Sequence, residues 1–114
     1  MKIEGQALLA RIYVGEADHW HGRPLYQAIV ELLRERGIAG ATVLRGIEGF
    51  GAHARLHTAR ILRLSEDLPL LIEVVDREDR LRAVLPELDA MVVDGLITLE
   101  RVEVFAYRGT PPTE

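Results

Sequence analysis

The run Leu68-Pro69-Leu70-Leu71-Ile72-Glu73-Val74-Val75 constrains the fold more than any other stretch, because it has the length of a strand without a polar side. In an extended chain Leu70, Ile72 and Val74 share one face while Leu71 and Val75 share the other, so the segment reads as an interior strand. Pro69 stands at its start, where a missing N–H donor is tolerated. The rest of the chain must therefore supply neighbours at both edges and cover for both faces.

The first neighbour is residues 7–14, with Leu8, Ala10, Ile12 and Val14 on one face and Leu9, Arg11 and Tyr13 on the other. A polar loop, Gly15 to Arg23, follows and is closed by Pro24, which suits the first position of a helix. From there Leu25, Ala28, Ile29, Leu32 and Leu33 recur at helical spacing, Gln27, Glu31, Arg34 and Glu35 point outward, and Gly37 supplies the stop. Ala41 to Leu44 begins a further strand. Asp76 is read as an N-cap, with Asp79 completing a rough capping box. The helix it opens carries Leu81, Val84, Leu85, Leu88, Met91 and Val92 inward, with a kink or break at Pro86 and an end at Asp94-Gly95. In the last strand, Leu96 to Val104, the apolar phase slips between Ile97/Leu99 and Val102/Val104, which predicts a bulge near Glu100-Arg101 or a second short strand.

Strand, helix, strand, strand, helix, strand is the α+β ferredoxin-like βαββαβ plan, an antiparallel four-stranded sheet with two helices on one face. Residues 7–107 are expected to form a single domain, with a flexible N-terminus over 1–6 and a flexible tail over 108–114. Because the helices cover one face only, the apolar residues of the other predict an interface, and self-association is its simplest cover.

Composition removes several function classes. With 114 residues and no cysteine, the chain has no disulfide, thiolate nucleophile or Cys-ligated zinc. A formal net charge of −4 argues against general nucleic-acid binding, and the strand Leu70 to Val75 lacks the stacking aromatics of an RNA-binding sheet. No apolar run has the length of a membrane span and residues 1–6 lack a signal-peptide core, so direct membrane insertion is not expected and a cytoplasmic protein is.

The chemistry is concentrated in Ala41 to His57, ATVLRGIEGFGAHARLH. A strand runs into Gly46, Gly49 and Gly51 with Phe50 between them, and Arg55, His57 and Arg60 follow, while Arg45 precedes. A permissive backbone beside cationic side chains is a candidate anion site, so Arg45, Gly46, Gly49, Phe50, Gly51, Arg55, His57 and Arg60 are the candidate ligand-binding residues. A glycine-containing hairpin loop with solvated arginines has the same composition, and Arg45 and Arg77 could equally make inter-subunit salt bridges. Two histidine pairs, His53/His57 and His19/His21, fall short of a metal site without carboxylates, so no metal ligand is assigned. An alternative is a small oligomeric ferredoxin-like enzyme or metal-binding protein using Glu48, Arg55 and His57, although no catalytic motif fixes their geometry and no catalytic residue is assigned.

These residues also carry a family resemblance. Arg11 to Glu16 (RIYVGE), Pro24 to Val30 (PLYQAIV), Gly40 to Gly51 (GATVLRGIEGFG) and Leu68 to Asp76 (LPLLIEVVD) resemble the bacterial and archaeal proteins grouped as domain of unknown function 190. That family is similar in fold to the PII signalling proteins. The resemblance implies a homotrimeric regulatory protein with a small anionic ligand, a nucleotide among the candidates, in a cleft between subunits. It also implies a long loop, here residues 48–60, that contacts a partner, with a membrane transporter or an enzyme as the classes suggested. The free loop is expected to be mobile and to become ordered when the site is filled. One departure is plain: PII proteins hold phosphates on a glycine- and lysine-containing loop between third strand and second helix, whereas Val75-Asp76-Arg77-Glu78-Asp79-Arg80 passes straight into the helix.

Overall fold

The computed structural model describes residues 3–50, 57–58 and 67–109. The strands β1 (Gly5–Gly15), β4 (Ala41–Arg45), β7 (Pro69–Asp76) and β8 (Leu96–Val104) form one antiparallel sheet in the order β4-β7-β1-β8. Helix α1 (Leu25–Glu35) lies between β1 and β4 in sequence, and α2 (Glu78–Met91) between β7 and β8. The hairpins β2 (His19–Trp20)/β3 (Arg23–Pro24) and β5 (Glu48–Gly49)/β6 (His57–Thr58) are additions to this α+β ferredoxin-like plan.

Strand periodicity builds the core. Leu8, Ala10, Ile12 and Val14 of β1 pack with Leu70, Ile72 and Val74 of β7, beneath Leu25, Ala28, Ile29 and Leu33 of α1 and Leu81, Val84, Leu88 and Met91 of α2. Both helices thus cover the same face. Ile12, Ile29, Ile72, Leu81 and Leu88 are fully buried, and truncating any one to alanine should cost about 2–5 kcal/mol. All five residues of β4, a short strand at the edge of the sheet, are exposed.

Four local expectations are corrected. The first strand, expected over residues 7–14, starts at Gly5 and ends at Gly15, with Ile3 buried ahead of a bend at Gly5 (φ 78°). Strand β8 has no bulge: its pairing with β1 runs unbroken from Tyr13↔Leu96 to Gly5↔Val104. The slipped apolar phase arises because Ile97 and Leu99 face the helices while Val102 and Val104 face the other side, which is also apolar. Helix α2 continues through Pro86, so the expected break is absent. Arg82, whose carbonyl loses its partner to the proline, is exposed, so water can serve it.

Asp76 is not the cap of α2. That position is Arg77, which makes no side-chain capping bond. Asp76 is instead fully buried, and its carboxylate accepts hydrogen bonds from the Ala39 N–H (2.9 Å), the Arg77 N–H (2.7 Å) and Arg80 Nε (3.3 Å). Arg80 also donates to the Gly37 carbonyl, and the Tyr107 hydroxyl to the Ala39 carbonyl (3.0 Å). The turn after α1, the start of α2 and the segment after β8 are thereby tied at one end of the sheet.

Candidate functional site

The strand register orders the face that the helices leave open. Leu44, Leu71, Tyr13 and Leu96 form one cross-strand row over all four strands. The next row is Thr42, Glu73, Arg11 and Thr98; beyond it lie Val75, Leu9 and Glu100, then Ala7 and Val102. In the apolar row Leu44, Tyr13 and Leu96 are exposed by 46%, 38% and 54%, far more than a side chain in a packed layer. Arg11 donates from Nε to Glu73 Oε2 in its own row (3.2 Å) and from Nη1 to Glu100 Oε1 in the next (3.0 Å), joining three strands. Hydrogen bonding to Glu73, then to Glu100, raises the Arg11 pKa above its ordinary value. Glu73 and Glu100 had no signal in the sequence, because only the register reveals which carboxylates stand beside Arg11.

At the end of β4 the chain leaves the sheet as an arm. Gly46 donates its N–H to the Pro69 carbonyl (2.7 Å), and a Cβ at Gly46 would lie 2.9 Å from Pro69 Cγ, so this backbone approach requires glycine. Gly49 lies beside the same proline ring. The arm then pairs with its own return, Glu48 with Thr58 and Gly49 with His57, so a hairpin is its base. Ile47 and Phe50 are 76% and 72% exposed, leaving two large apolar side chains on this base.

The candidate ligand residues divide accordingly. Arg45, Gly46, Gly49 and Phe50 cluster at the arm's root, and His57 joins them through the backbone pairing of β6. Gly51, Arg55 and Arg60 lie outside the described residues, as do His53 and the expected loop motion. Arg45 is ion-paired within its own chain to Glu16, at the end of β1, and Arg77 pairs with Asp79 (2.9 Å). The Glu16 partner follows from antiparallel geometry that brings the start of the loop after β1 beside the end of β4. Between β7 and α2 stands the single residue Arg77, so no phosphate-cradling loop occurs there.

A concavity of about 330 Å³ lies on the helical side, away from the arm, between Trp20, Leu32 and Met91. Of the charges that line it, Arg23 pairs with Glu31, and Glu87 and Glu35 both face the Arg36 guanidinium, at 2.6 and 4.0 Å. Among the described residues no group of three His, Asp or Glu side chains could hold a metal ion, and no helix is long and apolar enough to cross a membrane.

The sequence pattern of DUF190, described as "Uncharacterized ACR, COG1993", matches residues 7–104. A UPF0166 protein of Aquifex aeolicus (strain VF5) is 38% identical over 104 residues, covering 91% of this chain and 97% of the relative. A UPF0166 protein of Methanocaldococcus jannaschii is 38% identical over 101 residues, covering 88% and 93%. Among solved structures, CPII of Thiomonas intermedia K12, a nitrogen regulatory PII-like protein bound to ADP, AMP and bicarbonate, superposes with a TM-score of 0.63 at 17% identity, covering 87% of this chain and 88% of that one. CPII bound to ADP and bicarbonate gives 0.55 at 18% identity, with coverage of 87% and 88%. The fold is therefore PII-like, and the chain belongs to the DUF190 family.

Proposed function

We propose that this protein is a PII-like regulatory protein that acts as a homotrimer, takes a small anion such as an adenine nucleotide or bicarbonate between subunits at the root of the arm, and signals to a partner protein through residues 48–60. The observation that carries this reading is the double use of β4. Leu44 belongs to the apolar row of the open face, and the next residue, Arg45, stands where the arm leaves the sheet. Arg45 pairs with Leu70 and so lies on the helical side of β4, one residue along from Leu44; because β4 is the edge strand, a ligand held between subunits would reach this cation around the free edge. The adenine nucleotides and bicarbonate bound by CPII supply the ligand classes. With only Arg77 between β7 and α2, phosphate contacts must come from elsewhere, and Arg45 is the candidate, exchanging Glu16 for the ligand. The exposed Ile47 and Phe50 suit an apolar contact with a partner, for which a membrane transporter or an enzyme is the class proposed.

Light scattering coupled to size exclusion, followed by calorimetric titration with ADP, AMP and bicarbonate, tests the proposal. A trimer mass and saturable binding of at least one ligand are expected, with binding weakened at least about tenfold in Arg45→Gln, which loses a charge-assisted bond. A monomer at every concentration removes the inter-subunit site. A trimer that binds none of the three at millimolar concentration removes the ligand assignment and leaves the assembly.

A further inference from the structure

We propose that the concavity on the helical side binds a small organic cation, an ammonium or guanidinium group carried on an aliphatic stem. It lies away from the arm, and packing on the open face of the sheet would leave it uncovered, so its occupancy does not depend on the anion site. Two helical stripes build it: Ala28, Glu31 and Glu35 stand at i, i+3 and i+7 along α1, and Glu87, Ala90 and Met91 at i, i+3 and i+4 along α2. Each stripe carries an alanine where a larger side chain would fill the space between the helices, and Trp20 of the β2/β3 hairpin adds a further wall. The resulting volume of about 330 Å³ is at the small end of the range for small-molecule sites, about 300–1,000 Å³.

The lining selects the sign of the ligand. Met91 is buried and Trp20 and Leu32 are half-buried, which gives an apolar floor suited to an aliphatic stem. Around it stand three carboxylates, Glu31, Glu35 and Glu87, against two guanidiniums, Arg23 and Arg36. Both guanidiniums are taken: Arg23 pairs with Glu31, and Arg36 donates to Glu87 from Nε (2.8 Å) and Nη2 (2.6 Å). That leaves Glu35 with Arg36 Nη1 at 4.0 Å, beyond hydrogen-bond reach, its side chain 69% exposed. An anion entering here would meet no unengaged arginine, whereas a cation meets a surplus carboxylate beside low-dielectric walls that focus its field. A metal ion does not fit, because no three His, Asp or Glu side chains among the described residues could hold one. An alkylamine or alkylguanidine uses both parts of the lining, its charge at Glu35 and its stem on the floor.

Trp20 is the chain's one tryptophan and stands in the wall of the concavity, so its fluorescence reports binding. The full chain is titrated at constant ionic strength with agmatine and putrescine, with butanol and butyrate as uncharged and anionic controls, and calorimetry detects binding to which fluorescence is silent. Saturable binding of at least one of the two cations at millimolar concentration or below is expected, with neither control binding. Glu35→Gln should weaken it about three- to fivefold, the scale of one exposed ion pair. Ala90→Leu, at an exposed helical position, should fill the hollow and abolish binding with the melting temperature retained. If that variant melts early, Glu35→Gln still decides. Absence of cation binding, equal binding of butanol, or unchanged affinity in Glu35→Gln or in a folded Ala90→Leu protein overturns the proposal. Tighter binding of N-acetylarginine amide than of agmatine assigns the cation to a partner's side chain and overturns the free ligand.

Discussion

Asp76 shows how one side chain can be readable in sequence and still be misassigned. An aspartate directly before a helical pattern has the signature of an N-cap, yet its carboxylate serves the Ala39 and Arg77 N–H groups and Arg80 in a fully buried position. One of these donors, the Ala39 N–H, lies in the turn after α1, 37 positions away, so local pattern could not locate it. Replacing Asp76 with alanine leaves two part-buried N–H groups, of Ala39 and Arg77, and the Arg80 Nε without this acceptor. About 2–4 kcal/mol of stability should be lost, the smaller end reflecting the access of Arg80 to water. Asp76→Asn retains an acceptor and should cost about half as much. Urea denaturation of the two variants checks the order.

The hairpin β2/β3 falls where the sequence pattern reads as a loop, Gly15 to Arg23, closed by Pro24. Its strands are two residues each, too short for any alternation, and its turn residues are His21 and Gly22 rather than the usual Asn-Gly. Both take positive φ, 50° and 78°, as a type I′ turn requires, and the Trp20 and His21 rings stack with centroids 4.5 Å apart. Histidine tolerates this backbone region better than a β-branched residue does. His21→Gly should therefore leave thermal stability nearly unchanged, whereas His21→Val should lower it by about 1–2 kcal/mol. Differential scanning calorimetry distinguishes these outcomes, and equal stability of the two variants would show that the turn conformation is not demanding. In contrast, α1 and the strand β7 were legible because each holds its period over enough residues for local pattern to coincide with burial.

At the scale of the molecule, two exposed carboxylates paired with arginines contribute to the pH dependence of stability in acid. The hydrogen bond from Arg36 holds Glu87 below its ordinary value of 4.5, and the hydrogen bond from Arg82, assisted by Arg101, does the same for Glu78. The Arg36–Glu87 pair, with contacts of 2.8 and 2.6 Å, bridges the two helices. Because the folded-state pKa is lowered, each group's contribution is complete above about 4.5 and is lost as pH falls through the folded value. Arg36 is itself raised by Glu87, so the carboxylate is the partner that titrates. The melting temperature should hold steady from neutral pH down to this range and then fall, and Glu87→Gln should shallow that fall. An unchanged acid slope in the variant would remove the helix-bridging pair from the account of acid stability.

Strand and helix order, the interior position of residues 69–76, the one-sided helical layer and the glycine-rich arm were all fixed by local period and composition, because each depends on which residues are apolar and how they are spaced. The pairing of Arg11 with Glu73 and Glu100, of Arg45 with Glu16, and of Asp76 with Ala39 was decided by tertiary structure alone. Each joins residues 29 or more positions apart in sequence, and their meeting depends on strand register and turn geometry, which a single chain of letters does not encode locally. The last strand illustrates the boundary: its apolar residues were visible, but whether their phase slip meant a bulge or a second apolar face depended on the unbroken pairing with β1.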